Sequence, residues 1–223
     1  MNNTIRYTSN EIFEIFKEQQ RLCSPLDPET DESFVLKTNT VIRDWRRARD
    51  LVKWKELAEF LNKEFRINET SEKWDSILNP EKEKTLGNLC DFLSTVAEKE
   101  IINPIKILGN ECLSAATFIT LKINLKNKGV DVADLRPSTK IKDFLDVYEN
   151  FSPLIEEVTL TGLRVFDKLE YEKQKPQRRY KYWTDQILPI YMYKKSSVTT
   201  GEIETFRDLI QKIIENKKLG ESV

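Results

Sequence analysis

The chain contains no histidine. This removes the side chain most used as a general base, metal ligand and near-neutral proton switch. Histidine triads and histidine-based zinc sites are therefore excluded within these 223 residues. Glycine (6) and proline (8) are scarce, which argues against an all-β fold and its many turns, and against long disordered linkers. Only three cysteines occur: Cys23, Cys90 and Cys112. An odd count without CxxC spacing is neither a disulfide framework nor a thiolate metal site. Cys90 and Cys112 stand among apolar residues at helical spacing and read as small buried hydrophobes. Net charge is nearly absent, with 36 Lys+Arg against 37 Asp+Glu, so no global field favours nucleic acid or an anionic membrane. There is no uncharged apolar run of about 18 residues and no apolar stretch after Met1–Arg6 of the signal-peptide kind. A cytoplasmic protein without membrane contact is the expectation. No glycine-rich phosphate loop, GxSxG turn or metal-ligand spacing is present. In a chain that is 33% charged, paired carboxylates single out no acid–base couple. The expectation is a protein that is not an enzyme and carries no cofactor.

What remains is a pattern of amphipathic helices, so the fold class expected is all-α. Thr8 and Glu11 have capping-box spacing, and Ile12, Phe13, Ile15 and Phe16 form an apolar stripe after them. Ser24–Asp27 and Pro28 break that helix. Thr40 reads as the cap of a short turn, Val41 to Trp45. Trp54, Leu57, Ala58, Leu61 and Phe65 recur at three- and four-residue intervals. Trp74, Ile77 and Leu78 form a short apolar anchor. Thr85 caps a helix carrying Leu86, Leu89, Cys90, Leu93 and Val96 on one face. Asn103–Pro104 is expected to open the longest helix, 104–126, ended by Gly129 and packed on both halves of the molecule. Thr139 caps a second short turn through Phe144. Ser152–Pro153 starts a helix that runs through Leu154, Ile155, Val158, Leu163 and Phe166. Thr199 and Glu202 have capping-box spacing ahead of Ile203, Phe206, Leu209, Ile210 and Ile213.

Three landmarks occur twice in the same order. Thr40-Val41-Ile42-Arg43-Asp44-Trp45 matches Thr139-Lys140-Ile141-Lys142-Asp143-Phe144. Trp74-Asp75-Ser76-Ile77-Leu78 resembles Trp183 to Leu188 with one residue inserted. Thr85-Leu86-Gly87-Asn88-Leu89 matches Thr199-Thr200-Gly201-Glu202-Ile203. The offset is 99 residues at the first landmark and 114 at the third. An internal duplication with an insertion in the second copy follows, dividing the chain into units 1–101 and 102–223. Truncating Leu57 or Leu89 to Ala is expected to cost about 2–5 kcal/mol if both lie in the core.

The first unit, over residues 8–98, resembles an acyl carrier protein. Thr40 to Trp45 fits the family's turn before the second helix. Asp50 fits the Asp at the start of that helix, Glu56-Leu57 its middle and Lys63-Glu64-Phe65 its end. Thr85-Leu86-Gly87-Asn88 fits the motif that begins the last helix. Gly129-Val130-Asp131-Val132 and Thr139 to Phe144 extend the resemblance loosely over 105–215. The resemblance implies two related carrier-like helical bundles packed together. It also implies that a Ser should follow Asp50 and carry phosphopantetheine. Leu51 stands there, and it has no hydroxyl to modify. In the second unit Ser152 is displaced from the corresponding place and reads as a helix cap before Pro153.

The remaining candidates are two basic–aromatic clusters. One comprises Arg43, Arg46, Arg47 and Arg49, with Trp45 among them. The other comprises Arg178, Arg179 and Tyr180, continuing into Lys181, Tyr182 and Trp183. Such clusters anchor protein interfaces, and basic residues interleaved with aromatics also bind single-stranded nucleic acid. Arg46 and Asp50 stand at i,i+4, so the first cluster can neutralise itself, which favours a protein partner. The expected function is a non-catalytic protein-binding module with a degenerate carrier-like fold. The alternatives are a working carrier modified at Ser152, or a nucleic-acid-binding protein.

Overall fold

The structure, a computed structural model, describes residues 5–27, 29–49, 51–145, 151–171 and 198–220. Asp50, the Trp183–Leu188 landmark and the cluster of Arg178, Arg179 and Tyr180 lie outside them. Among the described residues the chain is helix-rich, with two small two-stranded antiparallel sheets, and no helix is long and apolar enough to cross a membrane.

Helix α1 (Ser9–Cys23) starts where the capping box places it. Thr8 Oγ1 accepts from Glu11 N–H at 3.2 Å, and the Glu11 carboxylate accepts from Thr8 N–H at 2.8 Å. After the short α2 (Ile42–Ala48) come α3 (Trp54–Glu64), α4 (Ser71–Leu78) and α5 (Leu86–Val96). Their apolar faces close with Ile12, Ile15 and Phe16 of α1 into a first core. Leu57 and Leu89 are both buried in it, as expected. A second core gathers residues of α6 (Leu113–Asn127), α7 (Ile141–Leu145), α8 (Phe151–Thr161) and α9 (Phe206–Gly220).

The long helix expected over 104–126 is not one helix. Strands β1 (Ile105–Ile107) and β2 (Asn110–Cys112) form a hairpin, and α6 begins only at Leu113. Leu108 and Gly109 make the turn with positive φ, 49° and 85°. Paired positive φ angles match a tight hairpin's twist and cannot continue a right-handed helix. Nor does α6 join the halves: its Leu121 and Leu125 belong to the second core, while Ile119 and Ile123 face outward. The link is instead α1, packed against α5 on one side and α8 on the other. Its Leu22, with Leu26 in the turn beyond it, enters the second core. In return Leu160 and Leu163 pack against the first. Cys90 is buried as expected, whereas Cys112 is only half-buried at the end of the hairpin.

Both threonines of the first landmark act differently from caps. Thr40 Oγ1 accepts from Lys37 N–H and Thr139 Oγ1 from Arg136 N–H, each at 2.9 Å, so each closes the turn ahead of its short helix. Beside each, an antiparallel bridge ties the turn to the start of a later helix. In the first, Ile42 N–H donates to Lys84 O (2.9 Å), Leu86 N–H to Thr40 O (2.8 Å) and Gly87 N–H to Thr38 O (2.7 Å). In the second, Ile141 N–H donates to Glu204 O (2.9 Å), Phe206 N–H to Thr139 O (3.1 Å) and Arg207 N–H to Pro137 O (2.8 Å). The counterpart of Thr85 is thus Thr205. Thr205 caps α9 with Asp208, whose carboxylate accepts from Thr205 N–H at 2.8 Å. Thr199 lies in β4 (Val198–Thr199), paired with β3 (Glu170–Tyr171), and Gly201 follows in a turn at φ 62°. The 3.6-residue spacing of Ile203 and Phe206 continued a pattern that the backbone interrupts.

Helices α3 and α8 are alike in length and burial. Each has 11 residues, and they bury Leu57, Ala58 and Leu61, and Leu154, Ile155 and Val158, respectively. Each is followed by an arginine at positive φ, Arg66 at 54° and Arg164 at 56°. Helix α8 begins at Phe151, so Ser152 lies inside its first turn, and the helix stops at Gly162, short of the extent expected from the apolar spacing. Pro153 is tolerated there because a first-turn N–H has no intrahelical acceptor.

Candidate functional site

Where α1, the end of α2, α3 and the start of α8 meet, they enclose a cavity of about 210 Å³. Most of its wall is apolar: Phe16, Leu51, Leu57, Leu61 and Ile155, with Phe60 half-exposed at the rim. Trp45 and Arg49 stand at i,i+4 on α2 and its C-cap, and therefore on one face. The Trp45 ring is buried and held by Phe16, with ring centroids 5.2 Å apart. Among the described residues, neither Trp45 Nε1 nor Arg49 Nε has a hydrogen-bond partner, although both atoms are buried.

The floor of the cavity is ionic. Glu64, at the end of α3, is buried and accepts from Gln19 Nε2, which also donates to Thr159 Oγ1 at 3.1 Å. Burial, then the negative Glu156, raises the Glu64 carboxyl to about 7; Lys128, Gln19 and Arg49 pull the other way. Burial also raises Glu156, although Lys128 Nζ lies 2.5 Å from it. Desolvation works against the Lys128 charge, but Glu156, Glu157 and Glu64 outweigh it and hold that ammonium above its usual range. Glu157 is wholly buried between Arg66 at 2.5 Å and Lys128 at 3.3 Å, and Arg66 reaches Glu100 at 3.3 Å. This network crosses from the segment after α3 to α8, and so from one core to the other. Cys23 also lines the cavity, and burial pushes its thiol up to about 11, which leaves it protonated and unreactive at neutral pH.

The residues singled out from sequence fall in different places. Arg46 is occupied by the chain itself: Nη1 bonds both Glu81 oxygens, at 2.9 and 2.7 Å, and Nε donates to Val52 O at 2.5 Å. Arg47 is exposed. Arg49 and the exposed Ser152 come together at the cavity, although 103 positions separate them in the chain. Leu51, at the position where the resemblance puts the arm-bearing serine, is part of the cavity's apolar wall. Sequence reasoning did not find Glu64, Glu156 or the free Trp45 N–H, because abundant glutamates and a core-spaced tryptophan give no signal of their own. Among the described residues no group of three or more Cys, Asp and Glu side chains is placed to hold a metal ion. Comparison with protein-family models, with curated proteins and with solved structures gives no match to the chain.

Proposed function

We propose that the chain is a non-catalytic protein-binding module. In this reading it is built of two carrier-like helical units, 1–101 and 102–223, whose site for a prosthetic arm has been lost. The observation that carries this is the paired hydrogen-bond register. Thr40 with Leu86 and Thr139 with Phe206 make the same bond from the same kind of turn, with Thr38–Gly87 and Pro137–Arg207 repeating it one step on. A duplicated unit accounts for that agreement more simply than two unrelated bundles would. Leu51 in the cavity wall fits a carrier surface without an attachment point.

The partner would be a protein. Arg47 is exposed, and Phe60 and Val52 leave apolar surface at the cavity rim, 50% and 43% exposed. Exposed arginine and exposed aromatic side chains are both common interface anchors. The contact is assigned to Arg47, with Arg178, Arg179 and Tyr180 contributing from the second unit. Affinity capture from the native host's lysate tests this, using the whole chain against R47E and against R178E/R179E. The expected result is one protein retained by the parent and lost with either charge reversal. Equal retention by all three chains, or retention of nucleic acid that falls steeply with salt, would contradict it.

A further inference from the structure

We propose that the cavity between α1, α2, α3 and α8 binds a small apolar carboxylic acid, with the carboxylate on Trp45 Nε1–H and Arg49 Nε–H and the hydrocarbon body against Leu57, Leu61 and Ile155. Four observations lead there. First, the two donors lie one helical turn apart on one face, and both lack a partner among the described residues. Leaving buried donors unmade is costly, and a charged donor more so. Second, Arg49 makes no direct ion pair among the described residues and acts on Glu64 and Glu156 only through space, whereas Arg46, Arg66 and Lys128 are each already paired. Third, the wall carboxylates are engaged. Glu156 is held by Lys128, and Glu64, hydrogen-bonded to Gln19, carries a raised carboxyl that keeps much of it neutral near pH 7. Fourth, the size is right. An apolar protein cavity of about 150 Å³ accepts benzene, and this one, at about 210 Å³, leaves room for a carboxylate on such a ring.

This proposal does not rest on the protein contact, although Val52 and Phe60 at the cavity rim belong to both. Its test uses the intact chain at neutral pH and the indole N–H resonance of Trp45, identified by its absence in Trp45→Phe. Benzoate, cyclohexanecarboxylate and 4-methylpentanoate serve as probes, with benzamide as the uncharged counterpart of benzoate. At least one acid is expected to shift that resonance saturably, with half-saturation below about 1 mM. Benzamide is expected to bind at least about tenfold more weakly than benzoate, and Arg49→Gln to weaken the bound acid by a similar factor. If none of the three acids saturates, or if benzamide matches benzoate, the proposal fails. Unchanged acid affinity in a folded Arg49→Gln protein would equally overturn it. The benzamide comparison decides the matter should that variant not fold.

Discussion

A methyl group at position 87 would come within 3.0 Å of the Thr38 carbonyl oxygen, the same oxygen that accepts the Gly87 N–H. Backbone on both sides leaves little room to yield. Gly87→Ala should therefore destabilise by about 1–3 kcal/mol. Gly162→Ala meets only an ordinary contact, 3.5 Å from Val165, and should be neutral or slightly stabilising. Urea melts of the two variants separate these expectations. Glu64 makes a second prediction at this scale. Its folded carboxyl sits near 7 against an ordinary value of 4.5, so the folded state holds a proton that the unfolded state releases sooner. This group's contribution to stability is complete below about pH 4.5 and declines as pH rises towards about 7. Glu64→Gln removes that decline, so the variant should gain on the parent between about pH 5 and pH 8 in denaturant melts. A parallel pair of stability curves would contradict the assignment.

The elements differ in how openly the sequence announces them. Helices α1, α3 and α5 were legible because a cap or a clear helical period marks each one, and their stripes at three- and four-residue spacing had no competing period. The hairpin was not, since Ile105, Leu108 and Cys112 mimic the helical interval while the two-residue period of β1 is only three residues long. Likewise Thr199–Glu202 and Thr205–Asp208 offer the same cap spacing within six residues. Only the bridge to Lys140 selects the second. Thr205→Ala should accordingly cost about 1 kcal/mol, the worth of an N-cap, and clearly more than Thr199→Ala. Thermal melts in which Thr199→Ala proves the more damaging would return α9 to its sequence-expected start. Of the site, Arg49 was visible as part of a basic–aromatic cluster. The glutamates beneath it became visible only through burial, which no linear pattern records.

At the scale of the whole molecule, two cores share α1 and a buried ionic network. Glu157 is its most enclosed member, between Arg66 and Lys128. Removing one partner from such a set strands charge in a low-dielectric interior at a cost of about 3–5 kcal/mol. Arg66 and Lys128 keep Glu100 and Glu156 as second partners, so Glu157→Ala is expected at the lower end of that range. Because the network spans the two cores, the loss should also broaden the unfolding transition, detectable as circular dichroism and tryptophan fluorescence curves that no longer coincide. Coincident curves with unchanged midpoint would show that the network does not couple the halves. The central proposal is that two carrier-like units have lost the attachment point for a prosthetic arm. Intact-mass measurement after incubation with coenzyme A and a broad-specificity phosphopantetheinyl transferase tests it most directly. The account predicts an unmodified mass, and a phosphopantetheine adduct mapped to Ser152 would contradict it.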